Sequence, residues 1–162
     1  MKNRILVVLY GKEPSESVTL QSLLNVHECN SALTIYNNGP ANIDENDLVI
    51  NKLLLCFSSV DIVQDLSNKP LSVLYNNFLN RDGDRFFLFD DDTNVPNGYL
   101  SCSEENIDVR IPIIRTSANE IMYPKIGSKV ITSECIVPED VFIYSIGSGL
   151  VFINLWWNFL LN

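Results

Sequence analysis

Asp90, Asp91 and Asp92 stand side by side at the end of the apolar run in RFFLFDDDT, residues 85–93. Adjacent carboxylates repel, and a buried one is costly unless something pairs with it. A strand that ends this way calls for a cationic partner. Mg²⁺ or Mn²⁺ suits the chemistry, because these ions take oxygen ligands and are commonly held by one or two carboxylates together with substrate phosphates. Asp90 and Asp92 are the candidate metal ligands. Asp91 lies between them and points elsewhere if the loop stays extended.

Other carboxylate patterns fit less well. An EF-hand loop begins DxDxN, which Asp90, Asp92 and Asn94 satisfy. Its sixth position needs Gly and its twelfth a bidentate Glu, where this chain has Val95 and Ser101. A phosphatase with an aspartyl nucleophile also places DxD after a strand, but near the N-terminus and with Thr or Val where Asn94 stands. A receiver domain needs its phosphoacceptor on a separate strand and a downstream lysine, a place that Lys125 or Lys129 fills only by coincidence. A solvated acidic loop is the plainest alternative, and the apolar strand directly before it argues against that.

The acids need a frame. Apolar runs alternate with amphipathic stretches along the chain, a pattern that predicts a parallel α/β sheet. Ile5 to Tyr10 reads as a first strand. Pro14 and Ser15 open a helix with Val18, Leu20, Leu23 and Leu24 on its apolar face. Ala32 to Tyr36 reads as a second strand, closed by the turn Asn37-Asn38-Gly39-Pro40. Leu48 to Phe57 fits helix or strand, and Val60 to Leu66 fits a strand. Pro70 to Leu79 fits a helix with Leu71, Leu74, Phe78 and Leu79 on one side. Arg85 to Asp90 is a strand, followed by a helix from Pro96 and a strand over Val109 to Ile114. Phe142 to Ile146 and Leu150 to Ile153 flank Gly147-Ser148-Gly149. In such folds ligands sit outside the carboxyl ends of the strands. Asn37, Asn68 and Asp90 to Asp92 all fall there.

Composition narrows the partners. The chain has 162 residues, enough for one domain with a sizeable core. Its net charge of −9 and the lack of a basic stripe exclude nucleic acid as an expected partner. The same acidity argues against electrostatic binding to anionic lipid. The start, MKNRILVVLYG, has too short an apolar run for a signal peptide, and no run reaches the roughly 18 residues that span a bilayer. A cytoplasmic protein is expected. Cys29, Cys56, Cys102 and Cys135 lie far apart with no CxxC pair, which reads as reduced, mostly buried thiols rather than a zinc site. The one histidine, His27, reads as a surface or helix-end residue.

Taken together, the segments ILVVLYGKEPSESVTLQSLL, LTIYNNGP, DLSNKPLSVLYNNFLNR, DRFFLFDDDTNVPNGYL and IGSGLVFI resemble, in order, the family 2 glycosyltransferases of bacterial surface-polysaccharide synthesis. The resemblance implies a GT-A fold, a Rossmann-like α/β/α sandwich with a mixed, mostly parallel sheet, over a single domain of residues 1–162. It implies inverting, metal-dependent transfer of a sugar from a nucleoside-diphosphate sugar to a glycan or lipid-linked acceptor.

Residue by residue, Asn37 takes the place of the family's base-reading acid, and as an amide it offers a donor as well as an acceptor. Asn68 and Asn76 match Asn residues around the nucleotide. Asp90 and Asp92 match the DxD metal clamp, Asp91 reaches toward the ribose, and Ser148 and Gly149 match a turn on the acceptor side. One departure stands out. The family's general base follows the Gly-Ser-Gly region, whereas here no Asp or Glu follows Asp140. The resemblance therefore leaves the catalytic base unassigned. It implies the nucleotide-binding part of a longer enzyme, without the acceptor and base part, or a nucleotide-sugar-binding remnant without activity. The uncharged end GLVFINLWWNFLLN leads us to expect self-association, or peripheral contact with the inner membrane face, through Trp156, Trp157 and Phe159.

Overall fold

The computed structural model describes residues 2–26, 28–101, 107–138 and 140–153, the side chains of Glu28 and Cys29 excepted. His27, Cys102, Trp156, Trp157 and Phe159 lie outside the described residues, as does any contact through the C-terminal segment. The described residues form the strands β1 (Asn3–Leu9), β2 (Glu28–Asn37), β3 (Phe57–Gln64), β4 (Arg85–Asp90), β5 (Val109–Arg110), β6 (Ile114–Arg115), β7 (Ile121–Tyr123), β8 (Lys125–Ile126), β9 (Lys129–Val130), β10 (Ile143–Tyr144) and β11 (Leu150–Ile153). The α-helices are α1 (Val18–Leu23), α2 (Leu48–Cys56) and α3 (Leu71–Leu79). Among the described residues no helix is long and apolar enough to cross a membrane.

The main sheet has six strands in the order β3-β2-β1-β4-β11-β5. The first four are parallel, β11 runs antiparallel to β4, and β5, antiparallel to β11, points the same way as the first four. This is the expected mixed, mostly parallel sheet flanked by helices. Strand side chains alternate between faces, so β1 sends Ile5, Val7 and Leu9 into one core and Leu6 and Val8 into the other. In β4, Phe87 and Phe89 join the first core, and Phe86 and Leu88 the second. Leu20 and Leu23 of α1 and Val49, Ile50 and Leu53 of α2 cover the first face. Leu74, Phe78 and Leu79 of α3 cover the opposite one.

That split follows from the handedness of crossovers. The chain steps outward from β1 to β2 to β3, then returns past β1 to β4. Right-handed connections place the helices of the outward steps on one face and the helix of the return on the other.

Several expectations need correction. The ambiguous stretch from Leu48 is the helix α2, and the next strand begins at Phe57. Over the described residues, the helix expected from Pro96 is only a 3-10 turn at Tyr99–Ser101. The strand expected over Val109 to Ile114 is two short strands, β5 and β6. Pro112 stands between them and has no N–H for a ladder. Val18 and Leu71 are exposed rather than on the apolar faces of their helices. Of the cysteines, Cys56 is half-buried and Cys135 exposed, both free.

Gly149, just before β11, lies in the left-handed region, with φ +79°. A Cβ there would stand 2.8 Å from Pro112 Cγ. Gly98 has the same backbone conformation (φ +80°) with open space around it. Gly149→Ala should therefore destabilise by about 1–3 kcal/mol, and by more than Gly98→Ala, in urea denaturation. Equal losses would show that the Pro112 contact imposes nothing.

Candidate functional site

The parallel register aligns the carboxyl ends of the strands. Leu9 pairs with Asn37, Asn37 with Gln64, and Val8 with Asp90. The loops that follow these positions therefore share one edge of the sheet. The strand order reverses between the parallel neighbours β1 and β4, and in open α/β sheets such a switch point is where ligands bind.

Asp90, Asp91 and Asp92 lie at this reversal. Their turn is held from four other places in the chain. From the Gly-Ser-Gly turn, Ser148 Oγ accepts the Asp90 N–H at 3.0 Å and also bonds Thr93 Oγ1. From α1, Thr19 Oγ1 donates to the Asp90 carbonyl at 2.5 Å and accepts from the Thr93 N–H at 2.9 Å. Just before α1, Ser17 Oγ donates to the Asp91 carbonyl at 2.9 Å while capping the helix by accepting from the Leu20 N–H. From α3, Tyr75 donates its hydroxyl to Asp90 Oδ1 at 3.2 Å.

The three acids have different surroundings. Asp90 is half-buried. Burial raises its pKa above the ordinary carboxylate range, the Tyr75 hydrogen bond opposes this, and the charges of Asp92 and Asp91 add to it. Burial likewise raises the Tyr75 hydroxyl, and the Asp90 charge adds to that. Asp91 turns back across the switch point. Lys12 Nζ lies 2.5 Å from its Oδ1, and the Tyr10 N–H points at its Oδ2 from 3.4 Å. Asp92 is exposed, and its side chain makes no hydrogen bond among the described residues.

A hard divalent cation fits this donor set. Asp90 and Asp92 offer carboxylate oxygens, and the raised Asp90 is the group a nearby positive charge would relieve. Among the described residues no three His, Cys, Asp or Glu side chains gather to hold a metal. A cation here would complete its shell from water or phosphate oxygens.

The other candidates are placed as follows. Asn37 is buried, and its amide holds the loop together. Nδ2 donates to the Ala41 carbonyl at 2.7 Å and to Gln64 Oε1 at 2.8 Å, and Oδ1 accepts from the Gly39 N–H. The side chain thus has both N–H groups engaged inside the protein, so the donor anticipated for a base is already committed. Asn68 is exposed with φ 48°, in a loop that the Asn38 side chain ties down through both backbone groups of Lys69. Asn76 is exposed on α3, and its side chain forms no hydrogen bond within the described cluster. Ser148 is buried beneath the acidic turn. Gly149 donates its N–H to the Leu88 carbonyl and accepts from the Tyr99 hydroxyl.

Sequence reasoning passed over Lys12, Tyr75, Thr19 and Asp65. Lys12 carried one signal, as a lone cation at a strand end in an acidic chain. Asp65, just past β3, accepts from Tyr36, Ser67 and Lys69. Lys69 foremost holds it well below the usual range, with Ser67 and Tyr36 reinforcing. The stability from that pairing is present above the ordinary carboxylate pKa and is lost as pH falls through the depressed one.

No family model matches the sequence, and no curated protein matches it. Among solved structures, the crystal structure of S. aureus TarS is similar with a TM-score of 0.41 and 16% identity, over 57% of this chain and 17% of that one. The chain therefore spans less than a fifth of that protein, and a likeness this distant adds nothing to the reading of the site.

Two substitutions test this geometry. Asn37→Asp removes two internal donors from a buried position and should cost about 1–3 kcal/mol in urea denaturation. An unchanged midpoint would show that the loop does not depend on the amide. Asp90→Asn should raise the melting temperature of the ligand-free protein at neutral pH. A raised carboxyl binds more protons folded than unfolded, so its cost is fully present above the folded pKa. The gain should shrink as pH falls through that pKa and vanish below the unfolded value. A gain that is independent of pH would contradict the assignment.

Proposed function

We propose that this chain binds a nucleoside-diphosphate sugar at the β1/β4 switch point and transfers the sugar to a hydroxyl of a glycan or lipid-linked acceptor. The observation that carries the reading is the acidic turn itself. Two carboxylates, one half-buried and one exposed, are fixed at the carboxyl end of a parallel strand where the sheet order reverses. Asp90 and Asp92 would hold Mn²⁺ or Mg²⁺ against the diphosphate. Charge gathering on the leaving phosphate would be offset by that cation. Transfer is read as inverting: the acceptor hydroxyl attacks the anomeric carbon, the nucleoside diphosphate departs with the electron pair of the broken C–O bond, and the hydroxyl proton is given up to solvent. Tyr75 keeps Asp90 oriented, and Ser148 and Thr19 keep the turn from relaxing outward.

A second reading keeps the site and drops the chemistry, since the contacts described above give the side chains binding and positioning tasks and assign none of them to proton transfer. The chain would then bind the nucleotide sugar without transferring it. Donor turnover assayed beside donor binding separates the two.

The site is tested by melting the protein with UDP, GDP and dTDP, with and without Mn²⁺. Binding to the folded state alone should stabilise it by about 2.7 kcal/mol at a ligand concentration a hundred times Kd. Asp92→Asn should lose the metal-dependent part of the shift, whereas Asp91→Asn should lose less of it. A wild type that does not respond, or an Asp92→Asn variant that responds equally, would leave only a solvated acidic turn.

A further inference from the structure

We propose that Lys12 binds the diphosphate of the donor, an assignment that rests on the reading of the site given above. Lys12 lies in the loop after β1, and that loop is fastened on both sides of it. The Gly11 N–H donates to the Gly39 carbonyl at 2.8 Å. Glu13 accepts the Asp44 N–H at 2.9 Å, and its own N–H donates to Glu16 Oε2 at 2.9 Å. The lysine is thus carried by a braced segment, and its side chain is 37% exposed.

Asp91 aims it. The ion pair joins the loop after β1 to the turn after β4 and so holds Nζ at the strand ends that carry Asp90 and Asp92. An ammonium has three N–H donors. One is used on Asp91, and the others have no partner among the described residues. They remain to meet phosphate oxygens.

Charge balance gives the lysine a task. The turn carries three carboxylates. One divalent cation cancels two of those charges, and an incoming diphosphate would still face the third. Lys12 cancels it. Without Lys12, the donor's negative groups would approach a site of their own sign. The plain alternative is a surface ion pair with no ligand, which contributes little either way.

The test is calorimetric titration of UDP, GDP and dTDP into the full chain with Mn²⁺, for wild type, Lys12→Gln, Lys12→Arg and Asp91→Asn. Urea midpoints serve as the folding control. Lys12→Gln should weaken the best-bound diphosphate about 10-fold or more, the usual scale for losing a charged hydrogen bond. Lys12→Arg should restore most of the affinity, and Asp91→Asn should weaken it less than Lys12→Gln does. If wild type binds and Lys12→Gln binds equally well, the inference fails while the site stands. If Lys12→Arg is as weak as Lys12→Gln, the charge role fails. If wild type binds none of the three, the inference and the proposed function fall together.

Discussion

The structure turns on one electrostatic constraint: a strand must deliver a half-buried carboxylate into a turn that already holds two more. Left alone, such a turn would swing outward until water separated its charges. It is kept in place by main-chain hydrogen bonds rather than by charge neutralisation. Ser148 takes the Asp90 N–H, Thr19 takes the Thr93 N–H, and Thr19 and Ser17 donate to the carbonyls of Asp90 and Asp91. The hydroxyls fix the backbone and leave the Asp92 carboxylate in solvent. Among the described residues, Asp91 is the acid of the turn whose charge is cancelled directly, by Lys12.

The topology explains why those hydroxyls are available. Because α1 is the first α-helix after β1, its first turn lies beside the end of β4, the neighbour of β1. Because β11 runs antiparallel against β4, the turn that precedes it arrives at the same end. Gly149 permits that arrival: its left-handed backbone leads Ser148 under the acidic turn and packs against Pro112. Gly147 lies so close to Tyr75 that a Cβ there would meet the hydroxyl at 2.9 Å, so the same turn also backs the Tyr75–Asp90 contact.

Much of the frame was legible because its signals are local. The apolar runs at Ile5, Ala32 and Arg85 became β1, β2 and β4, and the Leu74, Phe78 and Leu79 spacing became the buried face of α3. The helix at Leu48 was ambiguous because a continuous apolar run lacks period. The short strands after Val109 were not legible, since two- and three-residue pairings leave no pattern to read. Within the site, the acids declared themselves through their spacing. Their supports did not: Thr19, Tyr75 and Ser148 lie 71, 15 and 58 residues from Asp90. Asn37 shows the limit most clearly. The family resemblance marked it as a base reader, and the sequence carried no sign that its burial and its bonds to Ala41 and Gln64 also give it a structural task in the loop.

The central claim is that the acidic turn is a cation site, and anomalous diffraction tests it most directly. Crystals of the protein soaked in Mn²⁺ with a nucleoside diphosphate should show a manganese peak within ligand distance of the Asp90 and Asp92 carboxylates, with phosphate oxygens completing its shell. A well-ordered nucleotide with no peak between those residues, or a manganese peak elsewhere on the chain with the turn unchanged, would contradict it.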